Sequence, residues 1–141
     1  KFSHMSLMQW TTEYSVGVEE LDTQHKDLFN IVNNLYDNLG QNQSQEYLLY
    51  ILNGLSDYAR YHFSAEEKYF KEFKCENLEI ESHITQHNFY KERINKFIED
   101  FKNNKDLLKI EILKFTHDWW YNHILTMDKK YTTCFNEHGL H

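Results

Sequence analysis

The chain has 141 residues, a formal net charge of −7 at pH 7, no proline and only four glycines. This length fits one domain spanning 1–141, and the scarcity of proline and glycine favours long helices over strands and loops. The acidic balance without dense Lys/Arg clusters excludes nucleic acid as an expected partner, and the lack of an apolar run of about eighteen residues excludes a membrane span.

The N-terminal segment precedes the helical pattern. Residues 1–4, before Met5, have the look of a vector-derived remnant, which would exclude His4 from function. Residues 15–18 are predicted to form an extended arm that packs over the helices. Because no signal-peptide pattern opens the chain, we expect a cytoplasmic protein, and we expect it to be a monomer.

The first two helices follow from the spacing of apolar residues. Apolar side chains recur at helical spacing up to Leu39 and predict a first helix over roughly 19–39, which Gly40 ends. Ser44 is predicted to cap a second helix that continues to about Phe73.

The second half of the chain predicts two more helices. The pattern breaks at 75–78, resumes at Ile80 and predicts a third helix that ends near Lys102. After a polar turn with Asp106 as the cap, a fourth helix is predicted to run to about Lys130. Four helices of similar length joined by short loops predict an all-α, up-down-up-down antiparallel four-helix bundle with an N-terminal arm.

The two cysteines, Cys75 and Cys134, lie far apart in the sequence and form no C-x-x-C pair. Neither the zinc nor the dithiol template therefore fits them. Without a sign of export, free thiols are expected.

Histidines mark the faces of the helices that should point inward. One lies in the first helix, one in the second, two in the third and one in the fourth: His25, His62, His83, His87 and His123. His62 and Glu66 stand four residues apart, as do His83 and His87, and this spacing puts each pair on one side of a helix. Each pair can therefore chelate a metal ion.

Asp128 is five residues beyond His123, which places the two about 140° apart on a regular helix. A shared site would need a π-type widening or a local distortion near the helix end. By spacing alone, Asp128 is not favoured over Glu111 or Asp118.

The donor types indicate the metals. Imidazole and carboxylate without thiolate suit iron, manganese or zinc, and more than four ligands exceed the closed tetrahedron of structural zinc. Two metal ions are therefore expected. If two carboxylates bridge them, five nitrogens and four oxygens fill nine of about twelve positions, a bridging oxide fills two more, and one stays open for a small ligand.

At these residues the sequence resembles the hemerythrin family, in particular its bacterial branch. The resemblance runs from Trp10 to about Tyr131 and is carried by five fragments: Trp10 with Ser15-Val16-Gly17, Asp22-Thr23-Gln24-His25, His62-Phe63-Ser64-Ala65-Glu66-Glu67, His83-Ile84-Thr85-Gln86-His87 and His123-Ile124-Leu125-Thr126-Met127-Asp128. Each fragment is weak alone, but their order across four helices is highly specific.

The resemblance implies a non-haem di-iron centre, oxo- or hydroxo-bridged, that binds dioxygen reversibly for carriage, storage or sensing. It implies three sets of ligands: His83, His87 and His123 on one iron, His25 and His62 on the other, and Glu66 and Asp128 bridging both. Dioxygen would bind at the iron held by two histidines. The expected activity is binding and not catalysis.

Further residues are candidates for the surroundings of the irons. Four large apolar residues are candidates for the walls of an oxygen pocket, although ordinary core packing explains them equally well: Phe63, Trp119, Trp120 and Ile124. Four polar residues are candidates to hold the imidazoles by their distal nitrogens: Asp22, Gln24, Glu67 and Gln86.

Three alternatives remain. A di-iron oxidase or peroxidase of the ferritin-like type would draw on Glu-x-x-His pairs, and no glutamate of this chain has a histidine three residues later. A redox-sensing or iron-storage domain would share the same ligands. A bundle without metal would leave several imidazoles in an apolar interior, which is costly.

Overall fold

Four long α-helices account for most of the chain. The computed structural model describes residues 6–76, 78–103 and 109–141. Its helices are α1 (Glu19–Leu39), α2 (Gln45–Phe73), α3 (Ile80–Asn103), α4 (Lys109–Thr126) and a short α5 (Thr132–Glu137). The first four form the predicted up-down-up-down bundle. Within the described residues, no helix combines the length and the apolar character needed to cross a bilayer.

The ends of α1 and α2 confirm the sequence-based boundaries. α1 ends at Leu39, directly before Gly40. Ser44 caps α2 as predicted, because its hydroxyl oxygen accepts a hydrogen bond from the Tyr47 backbone N–H at 3.1 Å. At the other end of α2, Lys74 adopts a left-handed conformation with φ 49°.

The fourth helix is shorter than predicted. α4 ends at Thr126 rather than near Lys130, and a 3-10 helix, Asp128–Tyr131, leads into α5. No glycine or proline occurs where α4 ends, so the sequence contains no signal for the end of the helix. The predicted cap Asp106 lies outside the described residues.

The N-terminal arm packs against α5 and the start of α1, as expected. Asp22 accepts hydrogen bonds from the Val16 backbone N–H at 2.8 Å and from the Ser15 hydroxyl at 2.6 Å. The Thr132 hydroxyl donates to the Val16 carbonyl at 2.6 Å. Gly17 has φ +70°, and a Cβ there would lie 2.7 Å from Thr132 Cγ2, so only glycine fits without displacement.

The expectation of free thiols is wrong. Cys75, just after α2, and Cys134, in α5, form a disulfide with their Cα atoms 6.0 Å apart. The 59 residues between them in the sequence hid this proximity, which depends on α5 folding back against the end of α2. Disulfides are uncommon in reducing compartments unless they are transient, so the bridge does not support the expected cytoplasmic location.

The core has two ends of different composition. We call one the apolar end; its buried side chains are Val32, Leu35, Leu39, Leu48, Ile51, Leu52, Leu55, Ile94, Phe97, Ile98, Phe101 and Ile112. We call the other the histidine end; its buried side chains include His25, His62, Phe63, Glu66, Phe70, His83, His87, Trp120, His123, Asp128 and Tyr131. Because neighbouring helices are antiparallel, the histidine end collects the starts of α1 and α3 and the ends of α2 and α4.

Candidate metal centre

Seven polar side chains meet inside the histidine end, and they are the seven that the sequence predicted as metal ligands. None is more than 4% exposed: His25, His62, Glu66, His83, His87, His123 and Asp128. α1 supplies one of them, α2 and α3 two each, α4 one and the 3-10 helix one. Every helix of the bundle therefore contributes to a single buried cluster.

The two oxygens of the Glu66 carboxylate face different histidines. Oε1 lies 3.2 Å from His87 Nε2 and 3.8 Å from His83 Nε2. Oε2 lies 3.3 Å from His62 Nε2 and 3.9 Å from His25 Nε2. Glu66 is thus placed to give one oxygen to each of two metal ions.

The Asp128 carboxylate divides its oxygens in the same way. Oδ1 lies 2.9 Å from His83 Nε2 and 3.1 Å from His123 Nε2. Oδ2 lies 3.1 Å from His25 Nε2. The two carboxylates therefore stand side by side between the same two groups of imidazoles.

The donor atoms form two compact groups that share these carboxylates. One group comprises Glu66, His83, His87, His123 and Asp128, and the other comprises His25, His62, Glu66 and Asp128; the atoms within each lie within 4.8 Å of one another. Adjacent ligands about 2.1 Å from an octahedral ion are about 3.0 Å apart, and opposite ones about 4.2 Å apart. The observed separations fit two ions.

Unsatisfied polar atoms also fit metal binding. Among the described residues, Nε2 of all five histidines, Oε1 of Glu66 and both oxygens of Asp128 are buried without a hydrogen-bond partner. Buried polar atoms in folded proteins are almost always satisfied, and leaving several unsatisfied in one place is costly. Two cations at the centre of the cluster would satisfy all of them.

The change of helix type brings Asp128 to His123. The last α-helical bond of this segment runs from the Met127 N–H to the His123 carbonyl at 2.8 Å, and the Lys130 N–H then bonds back to the Met127 carbonyl at 3.1 Å. Of the two distortions considered from the sequence, the local one near the helix end is confirmed. A regular helix would have turned Asp128 away from His123.

Three imidazoles are held at their Nδ1 atoms. Gln24 Oε1 lies 2.7 Å from His62 Nδ1, Gln86 Oε1 lies 2.8 Å from His123 Nδ1, and Glu67 Oε2 lies 2.7 Å from His87 Nδ1. Because these oxygens accept, each Nδ1 carries a proton, which leaves Nε2 as the atom of each ring that would bind a metal ion. Gln24, Gln86 and Glu67 thus hold imidazoles as expected, whereas Asp22 holds the N-terminal arm.

The carboxylates stay ionised despite their burial. Burial raises the pKa of Glu66, but contacts with His62 and His87 outweigh that effect and hold this pKa well below its usual range. Burial also raises the pKa of Asp128, but interactions with His123, and then with His25 and His83, outweigh that effect. The pKa of Asp128 therefore lies well below its usual range. The site therefore presents two negative charges in an apolar interior.

The imidazoles differ in their affinity for protons. Burial lowers the pKa values of His62 and His123, which favours their neutral, metal-binding form. Burial also lowers the pKa of His87, but hydrogen bonds with Glu66 and Glu67 raise it to about 9. A metal ion must therefore displace a proton from His87.

Aromatic side chains enclose the cluster. The Phe63 ring stacks on His87 with centroids 4.0 Å apart and lies 6.0 Å from His62. Trp120 is fully buried, and its ring also lies 6.0 Å from that of His62. Trp119 is half-buried and stacks on His123 at 4.3 Å, on the side of the three histidines. The fourth predicted wall residue, Ile124, is fully buried.

Sequence reasoning missed one polar contact of the site. The Tyr131 hydroxyl donates to Glu66 Oε2 at 2.6 Å, and both groups are fully buried. Tyr131 lies at the end of the 3-10 helix, beyond the segment whose helical spacing was recognised. A tyrosine just past a ligand-bearing segment was the only available signal, and it is a weak one.

Three comparisons place the chain among known proteins. A family model described as the hemerythrin HHE cation binding domain matches residues 16–134. A hemerythrin-like protein from Naegleria gruberi is 33% identical over 126 residues, which cover 89% of this chain and 92% of that protein. A bacteriohemerythrin from Clostridium acetobutylicum is 29% identical over 126 residues, which cover 86% of this chain and 96% of the relative.

Solved structures agree with these sequence matches. The crystal structure of a wild-type hemerythrin superposes with a TM-score of 0.83 at 28% identity, over 92% of this chain and 98% of that one. The match extends along nearly the whole length of both chains, so the fold is shared.

Proposed function

Since the chain belongs to the hemerythrin family, we propose that it binds dioxygen reversibly at a non-haem di-iron centre. The proposed ligands of one iron are His83, His87 and His123, those of the other are His25 and His62, and the proposed bridges are Glu66 and Asp128. The role is oxygen carriage, storage or sensing.

This proposal rests on the different numbers of donor atoms in the two groups. One group offers five donor atoms and the other four. If two six-coordinate ions shared one oxide or hydroxide, the first group would complete the coordination of its ion and the second would leave one position open. When bound, the iron pair supplies this single open position and two electrons that can be shared reversibly with a diatomic molecule.

Residues of the chain protect the open side. Phe63 and Trp120 are fully buried and exclude bulk water from the side of the site near His62. Ile124 is also fully buried and stays a candidate wall residue. Gln24 fixes the orientation of the His62 ring through Nδ1. Trp119 lies against His123 instead, so its proposed part is to pack the opposite side of the centre.

The ligand chemistry favours binding over catalysis. Five imidazoles and two carboxylates make a nitrogen-rich site, whereas the ferritin-like di-iron carboxylate proteins use mostly glutamates. We therefore propose that the protein is not an enzyme. The single domain, the monomer and the cytoplasmic location stay predictions.

Iron counting with visible spectroscopy tests the proposal. Purified protein is loaded with iron, reduced without air, exposed to air and then flushed with argon. We expect two irons per chain and a coloured band that appears in air and fades under argon. A band that forms in air and never reverses would indicate an oxidase, and a protein that binds no iron would refute the di-iron centre.

A matched variant makes the test specific to the site. His62→Ala removes one of only two imidazoles on the open side, whereas His117→Ala removes a half-buried imidazole that lies outside the cluster. We expect the first variant to lose the reversible band and the second to keep it. Equal spectra from the two variants would place the coloured centre elsewhere.

A further inference from the structure

A disulfide lies in a surface pocket outside the metal centre. The Cys75–Cys134 bridge lines a pocket of about 680 Å³, together with Lys74 and His138. Cys75 is only 4% exposed, whereas Cys134 is half-buried. A small molecule that enters this pocket therefore meets Cys134 as the more accessible of the two half-cystines.

His138 places a hydrogen-bond donor beside Cys134. Its Nδ1 lies 2.8 Å from the Cys134 carbonyl oxygen and 3.8 Å from Cys134 Sγ. Since a carbonyl oxygen only accepts, Nδ1 carries a proton and its N–H also faces the sulfur. The ring is held in this position by stacking on Phe73, with centroids 4.7 Å apart. A donor fixed next to a sulfur stabilises its thiolate.

The bridge anchors the segment that follows the metal ligands. Cys134 lies in α5, where the next residue, Phe135, is fully buried and stacks on Tyr131 at 4.3 Å. Tyr131 in turn donates a hydrogen bond to Glu66. The opposite side of α5 is fastened to the N-terminal arm by Thr132 and Asn136. Loss of the bridge would therefore loosen one side of α5 without releasing the helix.

We propose that the Cys75–Cys134 bridge is a thiol–disulfide exchange site that takes a low-molecular-weight thiol, and that opening it weakens the hold on the metal-binding segment. Charged groups of both signs line the pocket: Lys74, Lys130, Glu76 and Glu137. Because both signs are present, the pocket favours neither an anionic nor a cationic thiol. The proposed ligand is therefore a class of compound, the low-molecular-weight thiols.

The exchange has two balanced steps. A thiolate attacks Cys134 Sγ, a sulfur–sulfur bond forms to the incoming thiol, and Cys75 leaves as a thiolate that takes up a proton. A second thiolate attacks the sulfur of the bound thiol and releases Cys134 as a thiolate beside the His138 N–H. Two thiols are oxidised to one disulfide while the protein bridge is reduced to two cysteines. Oxidation by the corresponding small disulfide reverses both steps.

The exchange itself does not depend on the metal. Its effect on metal retention rests on the proposed di-iron function, so the two parts need separate measurements. Metal-free and di-ferrous protein, both of the full chain, are each equilibrated without air in buffers of varied glutathione to glutathione-disulfide ratio. Alkylation and mass spectrometry then count the free cysteines and locate any glutathione adduct.

We expect the folded protein to pass from no free cysteine to two as the buffer becomes more reducing, with a trapped adduct on Cys134. His138→Phe should slow the exchange by roughly threefold to tenfold, because the thiolate loses its donor while a ring can still stack on Phe73. His117→Phe, which replaces an imidazole outside the pocket, should leave the rate unchanged. A bridge that reacts only in denaturant, or an adduct on Cys75, would overturn the exchange site.

Iron release to a ferrous chelator tests the coupling. We expect the di-ferrous protein to lose iron several-fold faster when the bridge is open, and Cys134→Ser to release it at that faster rate in every buffer. Equal release rates from the open and closed forms would overturn the coupling while leaving the exchange result intact. A chain that takes up no iron would refute the di-iron function, and the thiol count on metal-free protein would still decide the exchange.

Discussion

The two ends of the bundle are built on the same four helices and stabilised in opposite ways. At the apolar end, side chains such as Leu35, Leu52 and Ile98 are buried against one another and need no partner. Each contributes about 1.5–3 kcal/mol by leaving water. At the histidine end, many of the buried side chains are polar, and their burial is unfavourable unless each polar atom has a partner. Stability therefore concentrates at one end and chemistry at the other.

The difference extends to how precisely each side chain is held. A leucine at the apolar end is positioned by packing alone, and a neighbour of similar volume can replace it. At the histidine end, Gln24, Gln86 and Glu67 each fix one imidazole by a single hydrogen bond. The histidine end is therefore expected to tolerate substitution less than the apolar end, and its stability is expected to depend more on what it binds.

Removal of a bridging carboxylate should have the largest effect. Glu66→Ala takes one oxygen from each donor group, and we expect bound iron to fall from two per chain to nearly none. Elemental analysis after desalting measures this. Glu72→Ala, an exposed glutamate on the same helix, is the matched control and should keep both irons. Full iron loading of Glu66→Ala would contradict the bridging role.

Truncation of a leucine at the apolar end should lower the stability of the fold and leave iron binding intact. Leu35→Ala leaves a cavity in the core, and we expect the free energy of unfolding to fall by about 2–5 kcal/mol while two irons stay bound. Denaturant titration of the iron-free protein, together with an iron count, checks both halves. If Leu35→Ala lost iron in proportion to its stability, the two ends could not be treated as separate.

Sequence predictability follows the same division. The apolar residues recur at helical spacing, so the limits of α1 and α2 could be placed from sequence alone, and the Ser44 cap with them. The candidate ligands His62 and Glu66 could also be paired from the sequence, because four residues return to one side of a helix, and their side chains do meet, with His62 Nε2 3.3 Å from Glu66 Oε2.

The position of Asp128 could not be predicted from helical spacing. Its position depends on the change from α-helix to 3-10 helix at Met127, which no glycine or proline announces. Helical spacing argued against it, and only the family resemblance selected it. The bridge between Cys75 and Cys134 was missed because it joins segments brought together by tertiary packing. Contacts set by the path of the chain after α4 could not be read from periodicity.

Loss of a single Nδ1 partner should have an intermediate effect. Gln24→Leu removes the acceptor that orients His62, and we expect iron affinity to fall by about 10–100-fold. Competition with a chelator measures the affinity. Gln41→Leu, in the loop after α1, is the control and should bind iron as the parent protein does. An unchanged affinity in Gln24→Leu would mean that packing alone orients His62.

The smallest expected effect comes from Tyr131→Phe, and its dependence on metal makes it informative. Burial, followed by the charges of Glu66 and Asp128, raises the pKa of Tyr131 well above its usual value, so the hydroxyl is always a donor to Glu66. With iron bound, Glu66 keeps a partner, and removal of the hydroxyl should lower stability by only about 1 kcal/mol. Without iron, the same oxygen loses its donor in an apolar interior, and we expect a larger loss, about 2–3 kcal/mol.

Tyr90→Phe supplies the comparison that separates these cases. The Tyr90 hydroxyl is also fully buried, but it accepts a hydrogen bond from Trp120 Nε1 at 3.2 Å and touches no ligand atom in the described contacts. Its removal should therefore have the same effect with and without iron, measured by denaturant unfolding of both forms. If Tyr131→Phe also showed no dependence on iron, Tyr131 would be an ordinary core residue. A dependence confined to Tyr131 would show that its hydroxyl and the metal ions stabilise the same carboxylate.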